Sequence, residues 1–130
     1  MNPLTREWVE KAEADMATAA RELRVRKSPN YDAVCFHAQQ CAEKYMKAVL
    51  HAAAIPFART HNLAALLHLA LDLEPSWEMM RPDLQGLTAM AVGFRYPGRA
   101  ADKAAARHAV AAARNVRARA RLHLGLKTAS

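Results

Sequence analysis

The chain has 130 residues, enough for one domain whose core needs no disulfide or metal staple. With 52% hydrophobic residues and only four Gly and six Pro, it is neither disordered nor loop-rich, and its abundant Ala favours helix over strand. No apolar run reaches the ~18 residues that span a bilayer, and no apolar h-region follows the polar start, so the expectation is a cytoplasmic protein without a membrane partner.

The first helix is expected to open at Asn2-Pro3, with Asn as cap and Pro at the first helical position. Glu7, Glu10 and Glu13 lie toward its start and Arg21, Arg24, Arg26 and Lys27 crowd its end, a gradient that complements the helix dipole. Trp8, Ala12, Met16, Ala19 and Leu23 repeat at helical spacing and form its buried stripe. Ser28 or Asn30 caps a second helix from about Tyr31 to Ala54, with Val34, Ala38, Cys41, Ala42, Tyr45, Val49 and Ala52 facing inward. Two long helices joined by a short turn pack as an antiparallel pair. Thr60 or Asn62 caps a short third helix carrying Leu63, Leu66, Leu67 and Ala70, which Leu73-Glu74-Pro75-Ser76 breaks. Pro82 or Asp83 starts a fourth segment that Gly93 ends, with its extent over residues 76–92 left open. The last helix runs from about Ala101 to Leu124. The fold class is therefore all-α, an antiparallel four- to five-helix bundle in one domain over residues 1–126, followed by a frayed tail at 127–130.

Charge is unevenly placed. Residues 1–94 are nearly balanced, whereas residues 95–130 hold nine Lys/Arg against the single acid Asp102. Such asymmetry points to an anionic partner. In the last helix, Ala105, Ala109, Ala112, Val116 and Ala120 form one face, and Lys103, Arg107, Arg114, Arg117 and Arg121 fall on the other. An outward row of Arg107, Arg114 and Arg121 suits phosphates, which guanidinium groups bind bidentately; an ordinary solubilising face is the alternative. In the second helix, Phe36, Gln40, Glu43 and Lys47 fall on one line, flanked by Gln39 and Lys44. Glu43 and Lys47 can pair at i,i+4, and a solvated face is again the alternative. Cys35 and Cys41 diverge by about 120° on a helix and cannot pair, which fits reduced thiols. His37 and Cys41 have ligand spacing but no further ligands complete a site, so no metal and no cofactor is expected.

The segment Phe36-His37-Ala38-Gln39-Gln40-Cys41-Ala42-Glu43-Lys44-Tyr45-Met46-Lys47-Ala48 resembles the signature helix of HEPN domains, with its Gln-Gln-x-x-Glu-Lys-x-x-Lys core. Trp8 with Ala12 and Asp15 looks like that family's first helix. Thr60-His61-Asn62-Leu63 with Leu66 looks like the opening of its third, and Arg95-Tyr96-Pro97 like its turn before the last. The resemblance spans about residues 5 to 124. It implies a homodimeric helical bundle with a nucleotide- or nucleic-acid-binding role, often beside a small nucleotidyltransferase-fold partner in a toxin–antitoxin-like pair. Carried over residue by residue, it implies ligand-binding positions at Gln40, Glu43, Lys47 and Arg95, with Phe36 or Tyr96 as packing or stacking neighbours.

Some members of the family are metal-independent RNases that carry an Arg, four to six residues, then a His, near the start of the last helix. Here eight residues separate Arg99 from His108, and the only match to the spacing, Arg117 to His123, lies at the far end of that helix. The leading reading is thus a non-catalytic homodimeric module that binds a nucleotide or RNA, or docks a nucleotidyltransferase partner. The runner-up is an RNase toxin using Arg95, Arg99 or Arg107 with His108, and a third is a structural dimer without a ligand.

Overall fold

Four of the five helices start where a short polar side chain accepts a backbone N–H that the helix itself leaves free. In the computed structural model, which describes residues 1–128, Asn2 accepts from Leu4 at the head of α1 (Pro3–Leu23) and Asn30 from Ala33 at the head of α2 (Tyr31–Ala52). Asn62 accepts from Ala64 and Ala65 to start α3 (Leu63–Ala70), and Asp102 accepts from Ala105 to start α5 (Lys103–His123). The remaining helix, α4 (Arg81–Gly93), grows directly out of a 3₁₀ turn over Pro75–Met80 and has no side-chain cap. That turn, inside the segment whose extent the sequence left open, buries Trp77 and Met80. The fold is all-helical, as expected. Among the described residues no helix is long and apolar enough to cross a membrane.

Both α2 and α5 close with a left-handed residue. Ala54 (φ 56°) follows α2, and Ile55 N–H reaches back to the Leu50 carbonyl at 2.9 Å. Gly125 (φ 73°) does the same for α5, with Leu126 N–H on the Arg121 carbonyl at 2.8 Å. This six-to-one closure satisfies a terminal carbonyl and ends α2 two residues earlier than the sequence suggested. Of the tail expected to fray, Thr128 and Lys127 give their carbonyls to Arg117 and Arg121; Ala129 and Ser130 lie outside the described residues.

The bundle is built around α2, which packs on α1, α3, α4 and α5. Thirteen of its 22 residues are buried, and from Cys41 to Leu50 only Lys44 reaches solvent. Over that stretch the polar positions face neighbouring elements rather than water. Gln39, Glu43 and Lys47, which the spacing allowed as surface residues, are 2%, 3% and 7% exposed. Both cysteines are free and buried; burial holds the Cys35 thiol at about 11 and pushes that of Cys41 higher still, so neither is a ready nucleophile.

Tight packing of Ala-rich α5 against α1 and α2 also changes the fate of its arginines. Arg117 and Arg121, expected to face outward, turn inward instead. Arg117 forms a bidentate pair with Glu13 of α1 at 2.7 and 3.0 Å. Arg121 donates to the Tyr45 hydroxyl at 3.1 Å, and that hydroxyl in turn donates to Glu13. The reason is proximity: small side chains bring α5 close enough for a half-buried carboxylate on α1 to capture the cations at the edge of its polar arc.

Burial tends to push the Glu13 carboxyl up, but the hydrogen bonds from Arg117 and Tyr45 and the two guanidinium charges outweigh it, holding Glu13 below the ordinary carboxylate range. A group with a depressed folded value contributes stability that is present above its unfolded value, near ~4.3, and lost as pH falls through the folded one. Glu13→Gln is therefore expected to lower the unfolding free energy at pH 7 by about 1 kcal/mol, less than a buried charged hydrogen bond contributes because the site is partly solvated. The gap to wild type should close as pH falls below about 4. Urea melts at pH 7 and pH 3 measure both, and a gap that persists in acid would contradict the assignment.

Candidate functional site

The polar residues of α2 form a connected chain that runs from the interior to the surface. Lys47 Nζ lies 3.0 Å from Glu43 Oε2 and sits over two aromatic rings, 5.6 Å from the Trp8 centroid and 5.8 Å from that of Phe57. Those rings meet edge to face at 6.3 Å, so the ammonium is held by one carboxylate and two π-faces. The other carboxylate oxygen, Glu43 Oε1, lies 2.8 Å from His61 Nδ1 and accepts from Gln39 Nε2 at 3.1 Å. Gln39 Nε2 also donates to the His61 carbonyl at 3.1 Å, and Gln40 Nε2 donates to Gln39 Oε1 at 2.8 Å. Among the described residues every buried side-chain N or O atom has a hydrogen-bond partner.

This chain ends at a groove of about 250 Å³ between α2, the start of α3 and the end of α4. Gln39 and Gln40 form one wall, His61 and Asn62 the second, and Thr88, Ala91, Val92 and Arg95 the third. Thr88 ties the walls together: its hydroxyl accepts the Leu63 N–H at 3.2 Å and donates to the Leu84 carbonyl at 3.0 Å. Arg95 also borders an adjoining hollow of about 350 Å³ with Phe36, Phe94 and Asp32. The polar groups left open to a ligand are the Gln40 amide, the exposed His61 ring and the exposed Arg95 guanidinium.

The residues singled out from the sequence thus divide. Gln40 and Arg95 line one groove, and Glu43 stands directly behind it, bonded to His61 and Gln39. Lys47 is further inside and anchors Glu43. Tyr96 is 61% exposed and lines neither hollow. On α5, Arg107 and Arg114 are exposed, whereas Arg121 is engaged internally. His61 is the residue that sequence reasoning passed over as a functional group. Its signal was the neighbouring Asn62 cap, which fixes the start of α3 over the buried Glu43. His108, the candidate base of the runner-up reading, is exposed on α5 and lies outside this groove. Among the described residues no three His, Cys, Asp or Glu side chains converge to hold a metal ion.

The family model for the HEPN domain matches residues 5–123. Comparison with curated proteins and with solved structures gave no match.

Glu43 and Lys47 are both withdrawn from water, so removing one partner leaves the other charge uncompensated. Glu43→Ala is expected to cost about 3–5 kcal/mol of unfolding free energy. Adding Lys47→Met to that variant should recover a large part of the loss, because the orphaned ammonium is then gone. Denaturant titration of the wild type, both single variants and the double variant checks this; additive losses would show that the pair is not coupled.

Proposed function

From the chain's membership of the HEPN domain family and the groove just described, we propose that it is a cytoplasmic, homodimeric module that binds a nucleotide or RNA and pairs with a nucleotidyltransferase-fold protein in a toxin–antitoxin-like system. The observation that carries the binding reading is the convergence of Gln40, His61 and Arg95 on one groove, with Gln40 and His61 braced from behind by the buried Gln39–Glu43 pair. The chemistry of the walls suits a nucleotide. A guanidinium grips a phosphate, an amide addresses a base edge or a ribose hydroxyl, and Ala91 and Val92 with nearby Phe36 offer apolar surface to a base.

Dimerisation is supported by exposed apolar side chains next to Arg95: Val92 is 60% exposed and Tyr96 61%. A two-fold contact over the end of α4 covers them and sets two Arg95 grooves near the axis. The nucleotidyltransferase partner follows from the family resemblance, and co-purification with the product of a neighbouring gene tests it.

A second reading, RNA cleavage, is favoured by one specific feature. The His61 ring is 80% exposed, its Nδ1 is fixed by a buried carboxylate, and it shares a groove with an arginine. Buried carboxylates orient catalytic imidazoles in this way.

Fluorescence anisotropy with a labelled single-stranded RNA and a labelled ATP separates these readings. Arg95→Ala should weaken binding roughly 10- to 100-fold, the range for a charge-assisted hydrogen bond, and Gln40→Ala roughly 3- to 10-fold. Binding indifferent to both changes would refute the groove. Light scattering should report a dimer at micromolar concentration that Val92→Glu dissociates. Incubation of RNA with chelator, wild type, His61→Ala and His108→Ala decides the enzymology. Cleavage lost only with His61 promotes the second reading, cleavage lost only with His108 promotes the runner-up arrangement, and no cleavage sustains binding alone.

A further inference from the structure

A different cleft, of about 520 Å³, opens where α1 ends and α5 begins. Four cations line it: Arg24 and Arg26 from the end of α1 and the turn after it, and Lys103 and Arg107 from the first turns of α5. Among the described residues none of the four has an ion-pair partner. The carboxylates on the same stretches of chain are turned to the backbone instead. Glu22 accepts the Asn30 N–H at 2.7 Å, Asp32 the Ala101 N–H at 2.7 Å, and Asp102 the Ala105 N–H at 2.8 Å. All four cations are exposed, unlike those that this fold withdraws from water, which it pairs: Lys44 with Asp15, Lys47 with Glu43, and Arg117 with Glu13. The helix ends do not supply the missing charge, because the α1 C-terminus and the α5 N-terminus each carry about half a charge, of opposite sign.

We propose that this cleft binds a run of at least two adjacent phosphate groups. Four uncompensated cations around one hollow call for dense negative charge. Consecutive phosphates carry it on neighbouring atoms, whereas the carboxylates of an acidic peptide are spread along a chain. All four cations carry their charge on long stems that can close on such a ligand from both sides, and the three guanidinium groups among them bind phosphate bidentately. Half-buried Tyr31, with Leu23 and Val25, gives the cleft an apolar side against which a base or ribose can rest. The same phosphate chemistry is offered by a free oligophosphate, a nucleoside triphosphate and an RNA strand. The fold distinguishes them, because exposed Arg114 lies one step further along α5, about 10 Å beyond Arg107, beside a second hollow between α1 and α5. A strand of several nucleotides laid in the cleft carries further phosphates to Arg114, whereas three linked phosphates held by the four cleft cations do not reach it.

Calorimetric titration with sodium tripolyphosphate, ATP and a single-stranded RNA of twelve nucleotides tests the assignment. The variants are Arg24→Ala/Arg26→Ala, Lys103→Ala/Arg107→Ala and Arg114→Ala, with Arg59→Ala, in the exposed loop before α3, as control. Tripolyphosphate affinity should fall at least tenfold in each double variant and with a rise from 50 to 200 mM salt, and should be unchanged in the control. Arg114→Ala should weaken RNA alone. Circular dichroism checks that each variant is folded, and Lys103→Gln and Arg107→Gln replace any that is not. Absence of tripolyphosphate binding to wild type, binding unaffected by both double variants, or equal affinity for a heptapeptide of aspartates would overturn the proposal. Tripolyphosphate binding lost only in Arg95→Ala would also overturn it, while sustaining the groove reading. Loss in the double variants together with RNA binding indifferent to Arg95 and Gln40 would do the reverse.

Discussion

Lys47 and Glu43 lie one helical turn apart in the middle of the bundle, on the helix that every other helix touches. Withdrawing two such charges from water costs several kcal/mol each, which their mutual attraction offsets only when their other valences are filled. Here they are filled from three separate parts of the chain. Trp8 comes from α1, Phe57 from the segment after α2, and His61 from the residue just before the α3 cap. A shift of any one of these by a residue removes part of what surrounds the buried pair. The pair thus acts as a register mark for the loop over residues 53–62, which has no regular structure of its own to hold it.

The groove follows from that constraint. With His61 tied to Glu43 and the Asn62 side chain capping α3, the start of α3 is held beside Gln39 and Gln40. Leu63 N–H then meets the Thr88 hydroxyl of α4, which sets the end of α4 and so Arg95 against the same wall. Groups far apart in sequence become neighbours through polar contacts that are themselves partly buried. Preorganisation of this kind lowers the entropic cost of gripping a ligand.

The helices were legible in the sequence largely because their starts are written in single residues. Asn2, and Asn30 and Asn62 among the alternatives at the next two starts, could be read as caps, whereas the last helix was read from its Ala-rich period and its cap, Asp102, was not singled out. What spacing alone does not state is how many neighbours a helix has. Gln39, Glu43 and Lys47 recur at helical intervals whether they face water or one another, so only the enclosure of α2 decides between a solvated face and an internal network. Arg117 and Arg121 were misplaced for the same reason: a helical wheel of α5 carries no information about Glu13, a hundred residues away in the chain. The 3₁₀ turn holding Trp77 was too short to show a period. Gln40 and Arg95 were reached through their resemblance to a known pattern. His61 was quoted in that pattern but not weighed as chemistry, because its partner carboxylate becomes visible only in three dimensions.

The positive excess of the last helix is one number in the composition but two populations in the structure. Toward its C-terminal end, Arg117 and Arg121 share the single carboxylate of Glu13 and hold α1, α2 and residues 127–128 together. Toward its N-terminal end, Lys103 and Arg107 face Arg24 and Arg26 across a cleft with no counter-charge. Like charges gathered round one hollow repel, and salt removes that repulsion only between groups further apart than its screening length, about 10 Å at 0.1 M. A fold that needed only solubility could spread these residues or mix them with acids, as it does over the first two-thirds of the chain. The three nearby acids are instead committed to backbone N–H groups that fix the turns around the cleft. An anion held between the two pairs would offset that charge from outside, and by binding only the folded chain it would stabilise the joint between the first and last helices.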